Sequence, residues 1–341
     1  MKHSRSVSAV MAAVCLLVMI FDSKTALTGA SEGLQLCVAT VIPALFPFFI
    51  LSILLTGALS GIHIPLLGKL GQALGLPREG GFLLLVGLLG GYPVGAQCVA
   101  QSCQSGGLSR QDGERMLAFC SNAGPAFLFG IGSTLFPGKW MCWLLWGIHI
   151  AAALIVAALT PKVAPGTALR TAGEHCTLTS AMQRSVKAIA MVCGWIVLFR
   201  TIIAFFQRWF LWLLPSSSGL LVTGILELTN GCCDLDKISS VGLRMQLFSL
   251  FLGFGGLCVL LQTYGVLSGS GLRGTAYFPG KIAQAAISYL LCVLAQPLLP
   301  EEMRHFPAVY LPLAALVICI AYRIYRLKLQ KYSSIPAGVG V

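Results

Sequence analysis

Glu227 is the only acid in the chain placed inside an apolar run: residues 219–226 lead into Glu227, Thr229 and Asn230 before Gly231 ends the run. An ionisable side chain there costs about 2.5–3.5 kcal/mol on the insertion scale for Asp, Lys or Arg at a helix centre, and by default it faces a cavity or a partner. Its chemistry would be to hold a coupling proton or cation, or to accept hydrogen bonds from a solute's hydroxyls. The alternative is a structural ion pair with Arg200, Arg244 or Lys281. A second polar set lies earlier, with Tyr92 and Gln97 at Gly90-Gly91-Tyr92-Pro93-Val94-Gly95, and Ser121 and Asn122 in Ser121-Asn122-Ala123-Gly124-Pro125. These groups would give a small polar molecule oriented hydrogen bonds. Ser and Asn also serve simply as caps on broken helix ends, and Tyr92 as a packing aromatic.

The elements that must position them are interrupted helices. Gly90, Gly91, Pro93, Gly95, Gly124, Pro125, Gly231, Gly255 and Gly256 are the expected break residues. Glycine admits positive φ and proline removes a donor. A break at membrane depth leaves N–H and C=O groups that lipid cannot satisfy, so protein or a water-filled cavity must do so. A helix restarting there points free N–H groups and its positive dipole end at the cavity, which suits an anionic or hydroxyl-rich solute. Broken helices in corresponding positions of two halves mark the central site of many secondary transporters.

The 341 residues are 57% hydrophobic and 10% charged, with a mean hydropathy of +0.85. A soluble domain carries about 25% charged residues. An all-α polytopic membrane protein follows. Uninterrupted spans are expected at 45–59, 140–159, 189–206, 282–299 and 308–325, each roughly the length that crosses a bilayer core. The run 7–21, after Lys2 and Arg5, reads as a retained first helix rather than a cleaved signal.

Residues 1–30 hold that first helix and a loop. Residues 31–160 form a first repeat and 188–300 a second, joined by a connector at 161–187. Residues 301–341 hold the last helix and a basic tail. Each half begins with an amphipathic stretch (31–41 and 179–187), continues through two broken segments and ends on a plain span. If one broken segment per half is re-entrant, the chain makes about eight crossings and the halves are inverted. The basic start, the connector and the tail then all face the cytoplasm, as Lys and Arg do in short loops. The location is a bacterial cell membrane, with both termini cytoplasmic.

Other chemistry has little support. The formal charge of +12 comes from residues at the ends of apolar segments, which argues for membrane lipid headgroups and against nucleic acid. Most of the 13 cysteines lie in apolar segments, where a thiol is a small hydrophobe. There is no C-x-x-C pair, and Cys232-Cys233 is adjacent, so no metal and no cofactor are expected. The chain has no P-loop and no nucleophile with a nearby His, so it is not read as an enzyme and uses no ATP.

Four segments taken together carry a family resemblance: Gly-Gly-Tyr-Pro-Val-Gly-Ala at 90–96, Phe-Cys-Ser-Asn-Ala-Gly-Pro-Ala-Phe at 119–127, Leu-Glu-Leu-Thr-Asn-Gly at 226–231 and Phe-Gly-Gly-Leu-Cys-Val-Leu-Leu-Gln at 254–262. The chain resembles the sporulation integral membrane protein YlbJ family over roughly residues 8–325. That family is grouped with proteins carrying the nucleoside-recognition, or Gate, domain, which also occurs in nucleoside carriers and ferrous-iron transporters. The resemblance implies a membrane protein of endospore-forming bacteria, needed for sporulation and linked to the spore cortex. By motif position it singles out Tyr92, Pro93, Asn122, Gly124, Pro125, Glu227, Thr229, Asn230 and Gln262. The chain departs from the pattern at Gln97, where a Lys is expected, and at Cys258 and Leu260, where relatives tend to carry Ser and His. Three functions are therefore in view: a carrier of a small polar solute with a coupling proton or cation, a non-transporting structural or assembly component of the sporulation membrane, and a channel-like pore.

Overall fold

The computed structural model describes residues 2–59, 64–77, 80–162, 177–210, 213 and 216–306. Among them every regular element is helical. The expected span at 308–325, the tail after it and connector residues 163–176 lie outside the described residues.

Helix α1 (Lys2–Phe21) ends at Asp22, whose carboxylate accepts the Thr25 N–H at 3.3 Å and so caps α2 (Ser23–Leu36). The chain continues without a stop through a π-helical turn, Cys37–Val41, into α3 (Ile42–Leu59). Pro43 explains the turn. Its ring would clash with the carbonyl four residues back, and one wider turn relieves the clash. A short α4 (Pro65–Ala73) precedes α5 (Gly80–Gly90) and α6 (Val94–Gln104). Then come α7 (Arg110–Leu117), α8 (Pro125–Leu135) and the long α9 (Lys139–Leu159). The second half runs α10 (Leu178–Trp209), α11 (Ser216–Leu226), α12 (Leu228–Cys233), α13 (Val241–Phe254), α14 (Gly256–Leu267) and α15 (Tyr277–Leu294).

Among the described residues five stretches are long and apolar enough to cross a membrane: Ser23–Leu55, Lys139–Leu159, Leu178–Trp209, Val241–Leu267 and Tyr277–Leu294. Many large exposed side chains on them and on α1 are apolar, among them Leu16, Ile20, Leu51, Met191 and Leu198, whereas Asn122, Lys281 and Gln284 are buried. A soluble protein buries its apolar groups and exposes its charges; here the solvent is lipid. The last of these helices begins five residues before the expected start at 282. Pro279 sits in its first turn, where the missing N–H costs nothing. It ends at Leu294 because Pro297 has no N–H to give the Val293 carbonyl, and the chain tightens into a 3-10 turn at Gln296–Leu298.

α2 packs along α10. Gly29 and Gly33 lie one turn apart on the contact face, and a Cβ on either would come within 2.9 Å of an α10 backbone atom, Thr201 Cα or Val197 Cα. Small residues at this spacing let membrane helices approach closely. The Glu32–Arg200 ion pair and the Arg208–Asp22 pair at 2.9 Å flank the contact. α9 packs on α15, and α13 lies against both.

Candidate functional site

The interruptions differ in kind. α5 and α6 fold back on each other around Gly91-Tyr92-Pro93, and α11 and α12 do the same around Glu227. At each crossing two glycines face: a Cβ on Gly95 would lie 2.9 Å from Gly87 Cα, and one on Gly231 only 2.2 Å from Gly224 Cα. Gly95 and Gly231 are therefore inside helices, at the points of closest packing, and are not breaks. The second hairpin turns at Glu227 itself, four residues before the expected stop. The other two interruptions join successive pieces of helix. Residues 118–124 separate α7 from α8, with Gly124 extended and Pro125 at the first helical position. Gly255 and Gly256, both at φ +83°, separate α13 from α14.

The four interruptions meet. A Cβ on Gly91 would touch the Gly124 N–H at 3.3 Å, one on Gly255 the Tyr92 ring at 3.1 Å, and one on Gly256 Leu228 N at 3.1 Å and Glu227 Cα at 3.4 Å. The Tyr92 hydroxyl donates to Leu252 O at the end of α13, 3.1 Å away. Tyr92, Ala123, Phe127 and Leu228 share one apolar core beneath this meeting point.

Above that core stands a buried polar network centred on a residue the sequence reading considered only as a possible ion-pair partner. Lys281 of α15 is 1% exposed. Its Nζ donates to Ser121 O (2.6 Å), Gln284 Oε1 (2.6 Å) and Tyr92 OH (2.9 Å), and lies 5.0 Å from the centroid of the Tyr92 ring. Gln284 Nε2 donates to Asn122 Oδ1 at 2.8 Å, and Asn122 Nδ2 to Phe119 O at 2.8 Å. A backbone carbonyl can only accept, so Phe119 O fixes the Asn122 amide, Asn122 fixes Gln284, and Gln284 presents its oxygen to Lys281. The Ser121 and Thr263 hydroxyls flank that of Tyr277 and interact with it, though none of the three makes a hydrogen bond of good geometry. Nor does either ring nitrogen of His149, buried on α9.

Glu227 is 2% exposed and caps its own hairpin arm. Its oxygens accept the Thr229 N–H at 3.0 Å, the Asn230 N–H at 2.7 Å and Asn230 Nδ2 at 2.7 Å. The three cations expected as alternatives are engaged elsewhere: Arg200 by Glu32, Arg244 by the carbonyls of Leu135 and Ile238, Lys281 by its three oxygens. Gln97 lies one turn beyond the first tip, half-buried. Gln262, buried on α14, donates to Cys258 Sγ at 3.2 Å within its own helix.

The structure thus gathers Tyr92, Ser121 and Asn122 around Lys281, and Glu227, Thr229 and Asn230 at the second tip. Lys281 and Gln284 had one legible signal. Tyr277, Lys281, Gln284 and Ser288 recur every three or four residues, so a helix starting at Tyr277 puts them on one face. A span taken to start at 282 leaves Lys281 outside as a flanking charge.

No protein-family model matches the chain, and no solved structure does. It is similar to the sporulation integral membrane protein YlbJ of Bacillus subtilis (strain 168), at 26% identity over 322 residues that cover 81% of this chain and 79% of that protein. Read with the five long apolar helices, this similarity makes the chain an integral membrane protein.

Proposed function

We propose that the chain is a secondary-transporter-like carrier of a small polar solute in the membrane of a sporulating bacterium, working through the place where its interrupted helices meet. The observation that carries the reading is the convergence of two hairpin tips and two helix breaks on one buried polar network. The N-termini of α6, α8 and α14 begin there, and the ammonium of Lys281 adds positive charge. Both favour an anionic or hydroxyl-rich solute. The buried hydroxyls of Ser121, Thr263 and Tyr277 neighbour one another without a well-formed hydrogen bond, so a solute or its water would complete their pairing, because poorly paired buried polar atoms are costly. Glu227 and Asn122 order the two sides of the site, and Glu227 is the group for a coupling proton or cation. The role in sporulation follows the similarity to YlbJ, and a Gate-like organisation follows the resemblance of the four motifs.

Element order supports two inverted repeats with eight crossings. A long helix, a hairpin, an interrupted span and a long helix occur in 23–159 and again in 178–294. Packing pairs exchange accordingly: α6 meets α14 as α8 meets α12, and α9 meets α13 as α7 meets α15.

The opposing reading, a structural component without transport, draws on the internal satisfaction of Glu227, Asn122 and Lys281. The cluster of hydroxyls separates the two. A thermal-shift screen of the purified protein against nucleosides, small carboxylic acids and divalent cations identifies a stabilising compound. Ser121→Ala, Thr263→Val and Tyr277→Phe should then leave the unliganded melting temperature unchanged and weaken that compound about five- to tenfold each, the worth of one hydrogen bond of about 1–1.4 kcal/mol. No stabilising compound, or variants that melt early without it, would favour the structural component.

A further inference from the structure

The ammonium of Lys281 is held in an unusual way for a buried charge. No carboxylate is among the groups its Nζ bonds; its ligands are three neutral oxygens from three elements: the carbonyl of Ser121 in the first-half break, the hydroxyl of Tyr92 at the hairpin tip, and the amide oxygen of Gln284 on α15. Each can only accept here. Ser121 O is a carbonyl, Gln284 is oriented through Asn122 by Phe119 O, and the Tyr92 proton is committed to Leu252 O. A neutral amine has two N–H groups and an ammonium three, so the arrangement matches the protonated form. The Tyr92 ring, 5.0 Å away, adds a further neutral source of attraction for a cation.

Carbonyls freed where a membrane helix unwinds, together with nearby hydroxyl and amide oxygens, are what discontinuous-helix carriers use to coordinate a free sodium ion. We propose that Lys281 is a tethered cation: its ammonium fills, from within the chain, the oxygen cage between the first-half break and the first hairpin tip, so that this cage binds no free monovalent cation. The inference concerns the regulation of the site proposed above. It rests on the hydrogen-bond geometry and stands or falls separately from transport. It also separates the two halves chemically, because any coupling ion would have to act at Glu227.

The test is melting of the purified full-length protein in detergent, at equal ionic strength in choline chloride, sodium chloride and methylammonium chloride. With the other candidate cation site neutralised by Glu227→Gln and Lys281 kept, the protein should melt at the same temperature in all three. Lys281→Ala empties the cage; its melting temperature should fall by several degrees in choline and recover, with rising concentration, in methylammonium or sodium. Lys281→Met fills the same space without charge and should show no recovery. Stabilisation of the Glu227→Gln protein by sodium over choline would overturn the proposal, as would a Lys281→Ala protein indifferent to all three cations. If Lys281→Ala yields no folded protein in choline, preparation in methylammonium chloride decides: restored yield supports the cage, and no yield in either overturns it. The readout is stability, so either result leaves the carrier reading to its own experiment.

Discussion

Glu227 and Lys281 are the two charges buried where the interrupted helices meet, and each is offset by dipoles instead of by the other. Glu227 sits at the positive end of α12 and takes two backbone N–H groups that no helical carbonyl reaches. Lys281 sits where α7 has unwound and takes a carbonyl that no helical N–H reaches. Charge-assisted hydrogen bonds of this kind are roughly twice as strong as neutral ones. Removing the acceptor at Glu227 therefore has a structural cost apart from any effect on a solute. Glu227→Ala should destabilise the protein by about 1–2 kcal/mol, the range for loss of an N-cap. Glu227→Gln should cost less, since one carbonyl oxygen still meets one N–H, and its loss of function should exceed its loss of stability if the acid carries a coupling proton. Chemical denaturation of both variants beside an uptake or ligand-shift assay checks the pair of expectations. Equal losses of stability and function in Glu227→Gln would reduce the residue to a cap.

At the scale of elements, the breaks were legible where the chain's own chemistry forbids a helix. Gly90-Gly91-Tyr92-Pro93 and Gly124-Pro125 interrupt any helix, and Gly255-Gly256 does so through a φ of +83° that side chains resist. Gly255→Ala should cost about 1–2 kcal/mol from backbone strain alone, and more from its contact with Tyr92. Gly147→Ala, in the middle of α9 with open space around its Cβ position, should instead be neutral or stabilise by up to about 1 kcal/mol. Melting curves of the two variants compare a required glycine with a tolerated one. Gly95 and Gly231 show why composition alone overreached. Both are glycines beside a break, but they are small because a second helix lies against them, and a partner at Gly87 or Gly224 is not a local property. The same holds for Gly29, read as part of the loop after the first helix, and Gly33, read as part of an amphipathic lead, which together prove to be a helix–helix contact. Lys281 was missed for a one-turn error in where α15 begins, an error that moves a residue from the centre of the site to its margin.

At the scale of the whole molecule, hydrogen bonds tie chain segments into two groups, and the groups decide how the halves lie. Glu114 accepts from Gly274 N and Thr275 N at 3.1 and 3.0 Å, Arg115 donates to Leu74 O and Ala157 O at 2.7 and 3.4 Å, and Arg184 to Gln101 Oε1 at 3.0 Å. Arg244 donates to Leu135 O, and Gln246 to His305 O at 2.6 Å. α9 and α15 each run from one group to the other, whereas α5–α6 leaves the first group and returns to it, as a re-entrant hairpin from that side does. α11–α12 ends beside Ile238, in the second group. Lys and Arg near the two groups are nearly balanced among the described residues, with Lys69, Arg110, Arg115, Lys162, Arg184, Lys187 and Arg273 at the first and Lys24, Lys139, Arg208, Lys237, Arg244 and Arg304 at the second. The proposed eight crossings break the balance in terms of sequence, because the basic start, connector and tail (Lys2, Arg5, Arg170, Arg323, Arg326, Lys328 and Lys331) would all count with the first side. This proposed topology puts the first group in the cytoplasm together with the connector at 161–187, whose sequence holds a native thiol at Cys176. A membrane-impermeant maleimide should therefore leave Cys176 unlabelled in intact cells and modify it in inverted vesicles, with Cys176→Ser as the background. Asp236→Cys, exposed beside the second hairpin, should show the opposite pattern. Labelling of Cys176 in intact cells would require an even number of crossings in the first half, and the two halves would then be parallel, with their hairpins entering from the same side.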